Sequence, residues 1–86
     1  MDAGSYKHIT ATGNIKPIGG RLIGVLCAST SSGTITLYDS ATTTTTTPMT
    51  GTITPAAGSF IPIPAIFANG LYAVVSGTLD ATLIYV

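Results

Sequence analysis

Neither glutamate nor glutamine occurs in this chain, and no run of Ala, Leu and Lys recurs at the helical period. Helices draw on such residues because they lose little side-chain freedom there. The chain instead offers Thr, Ile, Val, Leu and Tyr in short runs, cut by Gly, Pro, Ser and Asn. β-Branched and aromatic side chains fit a pleated surface, and the cutting residues supply turns. The pattern predicts an all-β chain, a small antiparallel sandwich or barrel.

About seven strands are expected: 6–12, 21–29, 34–39, 51–54, 59–63, 70–76 and 79–86. The third, "TITLYD" (34–39), alternates cleanly, with Ile35 and Leu37 on one face and Thr34, Thr36 and Tyr38 on the other. "GNIKPIGG" (13–20), "TSSG" (30–33) and "PAAG" (55–58) read as links and turns. Pro62 and Pro64 withhold two ladder donors, which sends 59–63 to a sheet edge or a bulge. Gly77 can supply the positive φ of a tight hairpin between 70–76 and 79–86. "PAIFANG" (64–70) reads as a short turn, with Phe67 closing one end of the core. Leu22, Ile35, Leu37, Phe60, Phe67, Leu71 and Leu83 are the expected core.

The 86 residues make a single domain, 1–86, with a flexible start at 1–4 and a threonine-rich loop at 40–50. A chain of this length buries only about 60% of its unfolded surface on folding, so its core is small. Charged residues make up 7% of the chain, against roughly 25% in an average soluble domain, and the net charge is zero. Part of the surface is therefore expected to be covered by copies of the chain or by a partner. A membrane span is not expected: the longest apolar runs are 22–28 and 60–68, far short of about 20 residues. The N-terminal segment lacks the apolar run of a signal peptide.

The chemistry on offer is sparse. General acid–base catalysis uses a carboxylate pair or a histidine with an orienting partner. The only carboxylates are Asp2, Asp39 and Asp80, and His8 is the only histidine. Asp39 and Asp80 stand beside a loop and a turn, positions that suit bonding to nearby backbone amides. His8 reads as a surface or interface residue. Cys27 lies in an apolar run without cationic neighbours, and reads as a small buried hydrophobe. One Cys and one His do not make a zinc site. No catalytic, cofactor-binding or metal-binding residue is assigned, and no enzyme is expected. Lys7, His8, Lys16 and Arg21 give the first quarter a mild positive bias, too small a footprint for direct nucleic-acid binding.

The run Thr42–Thr47 sits between two expected strands. Thr disfavours helix in such a run, so an extended polar loop is the first reading. An edge strand that pairs with a neighbouring subunit is the second, and modified threonines are the third. No N-glycosylation sequon is present, because Asn14 and Asn69 are followed at +2 by Lys16 and Leu71.

The strand "GTITLYD" (33–39), the Phe-containing segment before Asn69-Gly70-Leu71, and the closing "SGTLD" (76–80) running into "LIYV" resemble the small β-rich virion proteins of tailed bacteriophages. The resemblance covers most of the chain outside the threonine run. It implies a jelly-roll-like β-sandwich and a capsid cement or decoration protein. Such a protein sits on the outside of the head at junctions between major capsid protein subunits, often as a trimer, after synthesis in the host cytoplasm. A head-fibre base or tail component is an alternative within the virion. A carbohydrate or cell-surface binding module is the alternative outside it, weakened by the absence of Trp.

Overall fold

The computed structural model describes residues 4–86, and every regular element in them is a strand. β1 (Ser5–Ile9), β2 (Gly13–Lys16), β3 (Gly20–Asp39), β4 (Ser59–Phe67) and β5 (Leu71–Tyr85) form one antiparallel sheet. The spatial order is β1-β5-β3-β4, with β2 also paired to β5. The fold is all-β and antiparallel, as the sequence pattern requires. The strand count is five rather than seven, and the reason lies in β3 and β5.

β3 is 20 residues long. At a rise of about 3.3 Å per residue it would reach about 66 Å if straight. The longest dimension of the protein is 31 Å, so β3 must bend sharply, and so must β5, which runs beside it. Both bend at the same rung. Ser31 and Ser32 both oppose Thr78, a β-bulge, and a second register shift lies between Cys27 and Ser29. Ser32 (φ 56) and Gly77 (φ 76) both occupy the left-handed region. A Cβ on Gly77 would strike the Ser32 carbonyl oxygen. Thr30 fastens the bend: its Oγ1 accepts from the Gly33 N–H at 3.0 Å and donates to the Thr78 carbonyl at 3.4 Å.

This overturns two expected turns. "TSSG" (30–33) does not separate two strands, and Gly77 does not close a hairpin. The two stretches face one another across a single ladder and bend it together. Other boundaries change as well. "PAIFANG" (64–70) does not begin as a turn, because residues 64–67 are the last four of β4, and the first strand ends at Ile9 rather than at residue 12. "GTIT" (51–54) supplies only an isolated bridge, in which Ile53 and Ile35 exchange backbone hydrogen bonds of 2.8 and 2.9 Å. The expected link 13–20 contains β2, whose Gly13 and Asn14 pair with Ala73 and Tyr72 of β5.

The bend divides the sheet into two arms. The first holds β1, β4, residues 20–27 of β3 and 79–85 of β5. The second holds β2, residues 34–39 of β3 and 71–76 of β5. Leu22, Val25, Cys27 and Leu83 of the first arm join Ile35, Leu37, Leu71 and Ala73 of the second in one buried cluster, which Phe67 also enters. Six of the seven expected core residues are fully buried; Phe60 is not, being 44% exposed. "SFIPI" is apolar at four of its five positions, so alternation could not say which of its two faces points inward.

Leu37→Ala should lose about 2–5 kcal/mol of stability, the cost of a cavity in a core that cannot collapse to fill it. Phe60→Ala should lose only about 1 kcal/mol, because its ring is only half withdrawn from water. Gly77→Ala should cost roughly 1–2 kcal/mol through its left-handed backbone alone, and more if the Ser32 carbonyl must move. Urea unfolding of the three variants checks this order.

Candidate interaction face

β4 shows how the outer surface of the first arm is built. Side chains alternate along a strand, so Phe60, Pro62, Pro64 and Ile66 share one face. All four are exposed, and all four are apolar. Their neighbours on that face are set by register: Leu26 lies beside Phe60, Gly24 beside Pro62, and Arg21 beside Ile66. One strand further, Thr82 stands beside Leu26 and Ile84 beside Gly24. β1 completes the rows with His8 beside Thr82 and Tyr6 beside Ile84. Ile66 is 82% exposed and Tyr6 75%.

Gly24 has a specific role in this surface. A Cβ at that position would come within 2.5 Å of the Phe60 ring and 2.6 Å of the Ile61 carbonyl oxygen. The ring therefore lies back over the glycine, which keeps the surface low at its centre. At the end formed by the start of β3 and the finish of β4 and β5 lies an open apolar recess of about 430 Å³. Gly20, Arg21, Ile66 and Val86 line it. Val86 is held there by its N–H to the Arg21 carbonyl (2.7 Å), and its own carbonyl accepts from the Arg21 N–H (3.1 Å) and Lys16 Nζ (3.0 Å).

No protein-family model, curated protein or solved structure matches this chain.

The titratable residues singled out from sequence are dispersed over the molecule. Asp2 lies outside the described residues. His8 Nε2 and Asp80 Oδ1 meet at 2.7 Å across β1 and β5, an exposed contact. Asp80 thus bonds a side chain rather than the expected backbone amides. Lys7 Nζ donates to the Asn14 carbonyl at 3.2 Å, and Lys16 Nζ also stands 5.9 Å from the Phe67 and Tyr85 ring centres. Arg21 borders the recess. Cys27 is buried and unpaired. Among the described residues no three His, Cys, Asp or Glu side chains come together as metal ligands, and no helix is long and apolar enough to cross a membrane.

Asp39 does bond backbone amides, though of a distant segment. Its Oδ2 accepts from Ala68 N–H at 2.9 Å, and its Oδ1 from Asn69 at 2.8 Å and Gly70 at 3.3 Å. The Ala68 and Asn69 bonds chiefly hold the carboxyl below the usual carboxylate range; partial burial opposes them, and the Gly70 bond adds to them. The threonine run starts from this clamp. Buried Ser40 Oγ accepts from the N–H groups of Thr42 (3.1 Å) and Thr44 (3.2 Å). Asn14 Nδ2 donates to the carbonyls of Ser40 (3.1 Å) and Thr42 (3.0 Å). Thr42–Thr47 are exposed and belong to no strand, and the run returns to β3 through the bridge of Pro48 to Tyr38.

The apolar face has a signal in the sequence, although alternation alone does not assemble it. Prolines two apart mark one face of an edge strand, and that same face must carry Phe60 and Ile66.

Because the folded Asp39 pKa is depressed, its stabilising contribution is complete above its unfolded value, near 3.8. It is lost as pH falls through the folded pKa. Asp39→Asn should therefore be less stable than wild type at pH 7, with the difference shrinking below about pH 4. Chemical denaturation across pH, with amide exchange at Ala68, Asn69 and Gly70, checks both parts.

Proposed function

We propose that this chain is a structural protein of a tailed-phage virion, a cement or decoration protein on the outside of the head. It would strengthen contacts between major capsid protein subunits and associate with further copies of itself, three being the number the resemblance implies. The observation that carries this reading is the outer face of the first arm, a broad exposed surface of Tyr6, Leu26, Phe60, Pro62, Pro64 and Ile66 on a chain with no net charge. Contiguous apolar surface on a small protein marks a place where another protein binds. In this reading the bent sheet is a jelly-roll-like sandwich whose layers are the two arms; β3 and β5 each contribute a straight segment to both.

Cementing needs no reacting group. A protein that binds only the assembled lattice lowers the free energy of that state and leaves its free subunits unchanged. The useful properties are then buried area, shape and rigidity. The small residues at the bend and the clamp on 68–70 supply rigidity. The apolar face supplies area.

The test is to add the purified protein to heads of its own phage that lack it, then sediment and heat them. Co-sedimentation with a raised temperature of head disruption is expected. Density on the tail or at a fibre base would replace the head role with the alternative virion site. Failure to bind any part of the particle would remove the proposal, and a glycan array would then address the carbohydrate-binding alternative.

A further inference from the structure

We propose that the recess lined by Gly20, Arg21 and Val86 receives Ile66 of a second copy of this chain. The proposal deepens the reading above, resting on its element of self-association, and it names the contact.

Three observations point to a second copy. First, projection and recess adjoin: Ile66, the most exposed large apolar side chain among the described residues, stands on the rim of the apolar hollow. A surface carrying both is self-complementary, which is what a two-fold contact between identical chains requires. Second, the edge that borders the recess is unsuited to strand addition. β4 ends the sheet order on the side away from β1 and has no N–H at Pro62 or Pro64, so a neighbour extending the sheet from β4 would lack donors at two positions. On that side docking is directed from the edge to the face. Third, the area suffices. Ile66, Tyr6, Phe60, Leu26 and Val86 together expose on the order of 500 Å². With Pro62 and Pro64 the patch approaches the roughly 800 Å² per partner of a standard interface.

The electrostatics are permissive and offer a handle. Arg21 lines the recess and lies opposite Ile66 in the ladder, and the Lys16 ammonium stands behind it on the Val86 carbonyl. A lysine at position 66 would carry positive charge into a hollow already bordered by an arginine. An aspartate there could instead pair with Arg21, and would be the poorer test.

The experiment is light scattering on a sizing column over a range of concentrations for wild type, Ile66→Lys, Ile66→Leu and, as a control outside the face, Thr45→Lys. Position 66 is so exposed that all four proteins should share one circular dichroism spectrum and, at concentrations too low for association, nearly one melting temperature. Wild type, Ile66→Leu and Thr45→Lys should run at two or more chain masses. Ile66→Lys should run as a monomer, with association weakened at least tenfold. Retention of the wild-type mass by Ile66→Lys would overturn the proposal, as would loss of association in Thr45→Lys to the same degree. A monomeric wild type at about 100 μM would overturn it too, leaving the hollow for a different protein. Head binding is scored separately: a monomer that co-sediments with heads refutes the self-contact alone, and an oligomer that ignores heads refutes the virion role alone.

Discussion

The matched bend in β3 and β5 is the feature on which the rest of the molecule depends. A straight pair of strands of these lengths could not bury its apolar face against itself. Left-handed backbone at Ser32 and Gly77, on facing strands at nearly one rung, lets the ladder turn and resume its pairing beyond the bulge, at Thr34 opposite Ser76. The core then forms between the two arms from residues far apart in sequence, Leu22 and Val25 with Leu37 and Leu71. At the bulge, where the ladder skips Gly33, the Thr30 hydroxyl serves its amide. A chain that buries so small a core cannot leave such groups without partners.

The same bend creates the outer face. Once the inward side chains of both arms are committed to the core, the outward side chains of the first arm must meet something else. In most small domains that surface is polar. Here Thr82, Arg21 and the His8–Asp80 contact are its main polar members, and apolar side chains occupy much of the rest. In the second arm the return of the threonine run lies along the edge of β3, tied by the Met49 N–H to the Leu37 carbonyl at 2.7 Å and by Thr50 Oγ1 to the Leu37 N–H at 3.2 Å. The outer face of the first arm is left open.

Much of this was legible in the sequence, for reasons that also explain what was not. Alternation in 34–39 assigned Ile35 and Leu37 to the core, because a half-buried strand shows its period directly. The prolines at 62 and 64 placed their strand at an edge, where β4 lies, and a register shift lies opposite them between Leu22 and Gly24. The bend was misread because Ser, Gly and Thr signal a turn whether the chain reverses or only kinks; the difference depends on what lies across the ladder. β2 was missed because Gly13, Asn14 and Lys16 have little strand preference, and their pairing is imposed by β5. Asp39 was read correctly as an acceptor for backbone amides, but that those amides belong to 68–70 is a fact of topology. Phe60 was assigned inward because an apolar run hides its period.

The central claim is that the open face of the first arm is where this protein meets its neighbours. Hydroxyl-radical footprinting of the dilute protein and of its assembled form reports side-chain exposure residue by residue. The account predicts that oxidation of Tyr6, Leu26, Phe60 and Ile66 falls on assembly while Met49, beside the threonine run, is unchanged. Protection at Met49 and Tyr38, with Tyr6 and Ile66 as reactive as before, would contradict it and move the interface to the second arm.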